Sequence, residues 1–186
     1  MRSIRSRLVG SLALAITLSI AAPWSASATV GSYLTMPALV RLSEVIVTGT
    51  VVSQASAWSP DHRLIYTRTT VQVTHTYKGD VPSTIVIGTV GGRVGHRVMS
   101  AAGTPTFTVG EEAMLFLHVA GDVYFPTALS QGVFHFQSAS AGATAARDLS
   151  GMTLMASDGT VVASPEPTLH VTDLESTVVR LTGAGS

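Results

Sequence analysis

Val45-Ile46-Val47-Thr48-Gly49-Thr50-Val51-Val52 is the stretch on which the fold turns. It is dense in β-branched residues, which suit a pleated, half-buried backbone, and it is interrupted by one glycine. A glycine inside a strand commonly marks a bend or bulge at a barrel corner. After the turn Ser59-Pro60-Asp61-His62, residues 65–77 form a long alternating strand. Thr67, Thr69, Val71, Val73, His75 and Tyr77 share one face, and Tyr66, Arg68, Thr70, Gln72 and Thr74 share the other.

Outward from this pair, Lys78-Gly79-Asp80 closes the second strand, residues 83–90 form the next, and Gly91-Gly92 ends it. Residues 93–100 read as a short strand and residues 101–110 as a loop holding Pro105. Residues 113–120 are strongly apolar and turn through Gly121-Asp122 into residues 123–125, and residues 133–136 are a further strand. Upstream, Pro37 with Leu39 and Leu42 predicts a short helix over 37–43, preceded by a patternless lead-in over 29–35. Residues 138–150, almost all Ser, Ala, Gly and Thr, read as a flexible surface segment. Asp158-Gly159 predicts a hairpin between residues 152–155 and 161–163. A final helix follows, capped by Thr172 with Glu175, lined by Leu174, Val178 and Leu181, and stopped by Gly183. The expected fold is mostly β: a small OB-like barrel over 29–137 with a short N-terminal helix, then the segment 138–150. The hairpin and helix over 151–186 complete it, packed on the barrel, and a β-sandwich is the alternative.

Residues 1–28 carry the three parts of a secretory signal: Arg2, Arg5 and Arg7, an uncharged run over 8–22, and Ala26-Ser27-Ala28 as an A-x-A site. The run is too short for a membrane anchor. Cleavage after Ala28 would start the exported chain at Thr29, in the periplasm or the medium. Removing those 28 of 186 residues leaves 158, and the 11 basic side chains fall to 8 against 11 acidic, a formal charge of −3. Such a balance argues against a nucleic-acid partner, which would want a basic face. With no cysteine in the chain, a thiol nucleophile, a lipidated cysteine and a cysteine-ligated zinc are all excluded. No second apolar segment is long enough to span a bilayer, so no membrane span is expected.

Residues 42–52, Tyr66, Val71, Val73 and Tyr77-Lys78-Gly79 together resemble the opening of an OB-fold domain of the netrin-like type, whose best-known members are the tissue inhibitors of metalloproteinases. The chain is more similar still to a group of exported bacterial proteins. In these, such an opening is followed by a Gly-Gly turn (Gly91-Gly92), a VGEE stretch running into a strand (residues 109–117), and Ser-Gln-Gly before the last barrel strand (Ser130-Gln131-Gly132). The resemblance covers residues 37–137 and implies a fold rather than an activity. The animal inhibitors chelate the protease zinc through a disulfide-bonded terminal cysteine. This chain has no cysteine, so that mechanism and its residues are not carried over.

The polar residues offer few constellations. Six histidines lack H-E-x-x-H or H-x-H spacing, so no metal site is assigned, and no cofactor motif is present. His75, His118 and His135 lie in expected strands, His62 and His96 in turns, and His170 before the last helix. Ser130 lacks the glycine and the following helix of a nucleophile elbow, and reads as a turn residue. Gly88, Gly91, Gly92 and Gly95 lack the helix, lysine and hydroxyl of a phosphate loop. Glu111-Glu112 reads as an acidic pair at the start of a strand. No catalytic residue is assigned. OB barrels bind through the face and loops around their early strands, which here means residues 56–63 and 91–97. The candidate binding residues are therefore His62, Arg63, Arg93, His96 and Arg97. The expected function is a secreted, non-catalytic binding module for a protein or a cell-envelope component. Modulation of a secreted protease without terminal zinc chelation is the alternative, and an unrecognised hydrolase stands third.

Overall fold

A computed structural model describes residues 29–138, 142–162 and 168–183. The expected export signal lies outside them. In chain order the elements are β1 (Thr29–Ser32), α1 (Met36–Leu42), β2 (Val45–Trp58), β3 (Ile65–Lys78), β4 (Thr84–Val90), β5 (Gly92–Val94) and β6 (Arg97–Met99). Then come β7 (Glu112–Ala120), β8 (Val123–Pro126), a single 3-10 turn (Leu129–Gly132), β9 (Val133–Gln137), β10 (Thr144–Ala146), β11 (Met152–Met155), β12 (Leu169–His170) and α2 (Val171–Thr182). No helix among the described residues is long and apolar enough to cross a membrane.

The strands make a partly closed ring. β2 pairs antiparallel with β3, β3 with β4, and β7 with both β2 and β8. One parallel pair, Ile87 of β4 with Tyr124 of β8, joins the two ends. This is the small OB-like barrel expected from the sequence, five-stranded and partly open. β9, β10 and β12 extend the sheet from the outer side of β7.

Closure requires β2 to coil, and its pairing with β3 shifts register at three places, one of them between Thr48 and Gly49. A Cβ at Gly49 would lie 2.6 Å from Val71 Cγ1 and 2.7 Å from the Gln72 carbonyl oxygen. Glycine is there because β3 crosses too close for a side chain.

Alternation along the strands builds two apolar layers. Val45, Val47, Val51, Val71, Ile85, Ile87, Ala113, Leu115 and Leu117 fill the barrel. Ile46, Met114, Phe116 and Phe134 point outward, where Leu39 and Val40 of α1 and Leu174 and Val178 of α2 cover them. Residues 113–117 are apolar without interruption because β7 is buried on both faces. Lys78 Nζ donates to the carbonyls of Val40 and Ser43 at 2.8 and 2.6 Å, tying β3 to the end of α1. Tyr77 Oη donates to Glu175 at 2.8 Å and ties β3 to α2. Burial, then the Glu175 carboxylate, pushes this phenol above its ordinary range.

Four local expectations need correction. The lead-in is ordered: β1 pairs parallel with β11, the Thr29 amide donates to Gly151, and the Thr29 hydroxyl donates to Ala102. The Ser/Ala/Gly segment contains β10, which pairs with β9 and buries Ala145. Residues 93–100 are not one strand but most of a hairpin, β5–β6, which begins at Gly92 and turns at Gly95 and His96. Helix α2 starts at Val171 with no side-chain cap, because Glu175 is engaged by Tyr77 and β12 runs straight into the helix. Gly183 does end that helix, in the left-handed conformation. The Asp158-Gly159 turn forms, and among the described residues Met155 and Val161 make a single bridge across it; residue 163, the end of the expected hairpin, lies outside them.

Candidate functional site

The first candidate site is built by Gly91 and Gly92. Their φ angles of 108° and 132° send the chain from β4 back across the β2–β3 pair, a path that other residues rarely follow. The Gly91 amide donates to Ile65 at 2.7 Å, and Thr67 Oγ1 donates to the Gly91 carbonyl at 2.7 Å. Ser56 Oγ lies 2.9 Å from Thr67 Oγ1, so a short run of hydroxyls supports the crossing. A side chain at Gly92 would collide with the hydroxyls of Ser56 and Thr67.

Beyond this crossing β5 and β6 form a hairpin with Gly95 and His96 at its tip. Residues 100–107 then run back, and Gln54 Nε2 holds the Phe107 carbonyl at 3.0 Å. Between hairpin, returning segment and barrel lies a cleft of about 470 Å³. Its polar lining is hydroxyl, amide and main chain, from Gln54, Ser56, Thr67, Thr89 and the two glycines, and its apolar lining includes Val98 and Phe107. Among the described residues, Arg93 is the one charged residue that lines it.

The five residues singled out from sequence separate here. Arg93 faces Val98 across the hairpin and both line the cleft, whereas Arg97 faces Val94 and neither does. This is the two-residue period of a strand at work. His96 sits in the exposed tip. His62 and Arg63 belong to the β2–β3 turn, which satisfies itself: Ser59 Oγ binds Asp61 and accepts from the amides of Arg63 and Leu64. The Ser59 hydroxyl, then the Arg63 amide, holds the Asp61 carboxyl below its ordinary range. His62, at φ 56°, stacks on Trp58 with ring centroids 6.1 Å apart, and Arg63 Nε reaches Asp61 at 3.8 Å in the open.

A second cleft, of about 490 Å³, was not foreseen. It lies across Thr106 from the first and is lined by Glu111, His135, Arg147 and Asp148. The antiparallel register of β7 with β9 sets Ala113 opposite His135, and Glu111 Oε1 comes within 3.4 Å of His135 Nδ1. Phe107 packs on the same imidazole at 6.0 Å between ring centroids. Arg147 lies over the rings of Phe134 and Tyr33 at 5.1 and 5.6 Å and donates to Gln131. Asp148 accepts from Ser150, and that bond, then His135, holds its carboxyl below the ordinary range. Glu111 with His135 is the chemistry of an oriented acid–base pair, but among the described residues no hydroxyl is hydrogen-bonded to the imidazole.

The other histidines are dispersed. His75 packs edge-on against Tyr77, His118 stacks on Phe125, and His170 precedes α2. Among the described residues no three His, Asp or Glu side chains are grouped to hold a metal ion. The chain matches no protein-family model and no curated protein.

Proposed function

We propose that the chain is a secreted, non-catalytic binding module that holds a protein or cell-envelope component in the cleft between the β5–β6 hairpin and the β2–β3 face. The single observation that carries this reading is the composition of that cleft: hydroxyls, main chain and apolar side chains, with Arg93 the one charged residue among the described residues of the lining. A pocket of this size with a few convergent polar groups is the ordinary form of a recognition site. The face used is also the one OB barrels use.

The protease-modulating alternative keeps support only in a form without terminal chelation. After cleavage following Ala28, the terminal nitrogen would be that of Thr29, which is engaged with the carbonyl of Gly151 just before β11.

Tagged exported protein, incubated with the medium and envelope fraction of its native culture, tests the reading. A defined component should be retained, lost on Val98→Glu at the cleft mouth, and kept on Glu111→Gln in the second cleft. Retention unchanged by Val98→Glu would refute the assignment, and so would the absence of any retained component.

A further inference from the structure

We propose that the first cleft recognises a carboxylate-bearing apolar peptide segment, with Arg93 as the anchor for the carboxylate; this rests on the binding reading above.

The lining decides among ligand classes. A nucleic acid needs a basic surface to displace counterions, and one arginine does not supply it. Carbohydrate recognition wants an open aromatic face, but Phe107, the aromatic residue in the lining, is only 8% exposed. An extended peptide fits better. Its main-chain N–H groups can donate to the hydroxyl oxygens of Ser56 and Thr67, whose protons are taken within the crossing, and to Thr89, and its apolar side chains can settle on Val90, Val98 and Met99.

Arg93 then supplies the specificity. Its side chain is exposed, and among the described residues no carboxylate pairs with it. By contrast Arg63 and Arg68 each have an aspartate nearby. Guanidinium and carboxylate geometries match in a two-bond fork, so an arginine at the mouth of an otherwise neutral apolar cleft selects a carboxylate. The alternating period of β5–β6 puts Arg93 and Val98 on one side, which places the charge beside an apolar contact. That pairing calls for a carboxylate next to an apolar side chain. A chain terminus and an acidic side chain both meet it.

Nuclear magnetic resonance titration of the exported protein separates these cases with three synthetic probes. They are acetyl-Ala-Val-Leu with a free C-terminal carboxylate, the same peptide as its C-terminal amide, and the amide of acetyl-Val-Asp-Leu. The free acid should move the amide resonances of Gly91, Gly92, Arg93 and Val98, with an affinity about tenfold above that of the neutral amide, as loss of a charged hydrogen-bond partner implies. Movement by the aspartyl peptide as well would extend recognition to acidic side chains, and movement by the free acid alone would restrict it to chain ends. Both results support the proposal. Arg93→Gln should erase the tenfold preference, whereas Arg97→Gln, on the opposite side of the hairpin, should leave it intact. Equal affinity for acid and amide would overturn the proposal, as would a preference that survives Arg93→Gln. Chitotetraose moving the same resonances while all three peptides fail would overturn the peptide assignment and leave the binding reading standing. If the native component of the preceding experiment is retained through Val98 but the peptides and the sugar are all inert, the peptide inference alone falls.

Discussion

The two clefts are nearly equal in volume, about 470 and 490 Å³, and share the wall at Thr106, yet they deploy charge in opposite ways. In the second, each charged group lies against a neighbour within the protein: Glu111 Oε1 is 3.4 Å from His135 Nδ1, Asp148 accepts from Ser150, and Arg147 is seated over two aromatic rings. In the first, Arg93 is the one charged residue among the described residues of the lining, and it is exposed. Groups that satisfy each other contribute to the fold, whereas a cation left to the solvent is available to a partner. Volume alone would not have told the two apart.

The largest expected effect comes from the glycine that shapes the first cleft. Gly92→Val would force a β-branched side chain onto a φ of 132° and into the hydroxyls of Ser56 and Thr67. Strain and overpacking together should lower stability by about 3 kcal/mol in chemical denaturation, with loss of the retained component. An unchanged denaturation midpoint would mean that the crossing is not built as described.

A smaller effect is expected in the second cleft. The Glu111 and His135 side chains are 21% and 18% exposed, so their contact is partly shielded from solvent. Glu111→Gln should cost about 1 kcal/mol and leave binding untouched. A variant more stable than the parent would reverse the comparison, because residues kept for function commonly reduce stability.

How legible these two sites were in the sequence follows from the range of the contacts that make them. Gly49, the alternating β3 and the Gly91-Gly92 crossing are local signals, and each marks its feature. The barrel was therefore readable, and so was the neighbourhood of the first cleft. Its composition was only half readable: the period of a two-residue strand separates Arg93 from Arg97, but the position of the hairpin turn at Gly95 and His96 had to be known first. The Glu111–His135 contact spans the β7–β9 pairing, and no spacing rule announces a register between strands. The same holds for β1, whose Thr-Val-Gly-Ser has no periodic pattern and is a strand only because β11 lies beside it. Ala145 is buried for a similar reason, since β9 offers it a partner. Thr172 with Glu175 fits the capping pattern, but a tyrosine on β3 takes the carboxylate.

The smallest expected effect concerns acid. The Asp148 carboxyl titrates below its ordinary range in the folded protein, so its contribution is present above the unfolded value of about 3.8 and is lost as pH falls through the lower, folded value. In melting curves between about pH 5 and pH 2, Asp148→Asn should flatten part of the acid-side decline. The side chain is largely open to water, so the change should be slight. Arg93→Gln should leave the decline as it is. An acid limb indifferent to Asp148 would remove that carboxylate from the groups held within the second cleft.

Amide hydrogen exchange on the exported protein, with and without its retained component, addresses the assignment of function to the first cleft most directly. Slowed exchange is expected at residues 91–93 and 98–101, with residues 133–137 and 146–148 unchanged. Protection confined to 133–137 and 146–148 would place the partner on Glu111 and His135 and contradict the assignment.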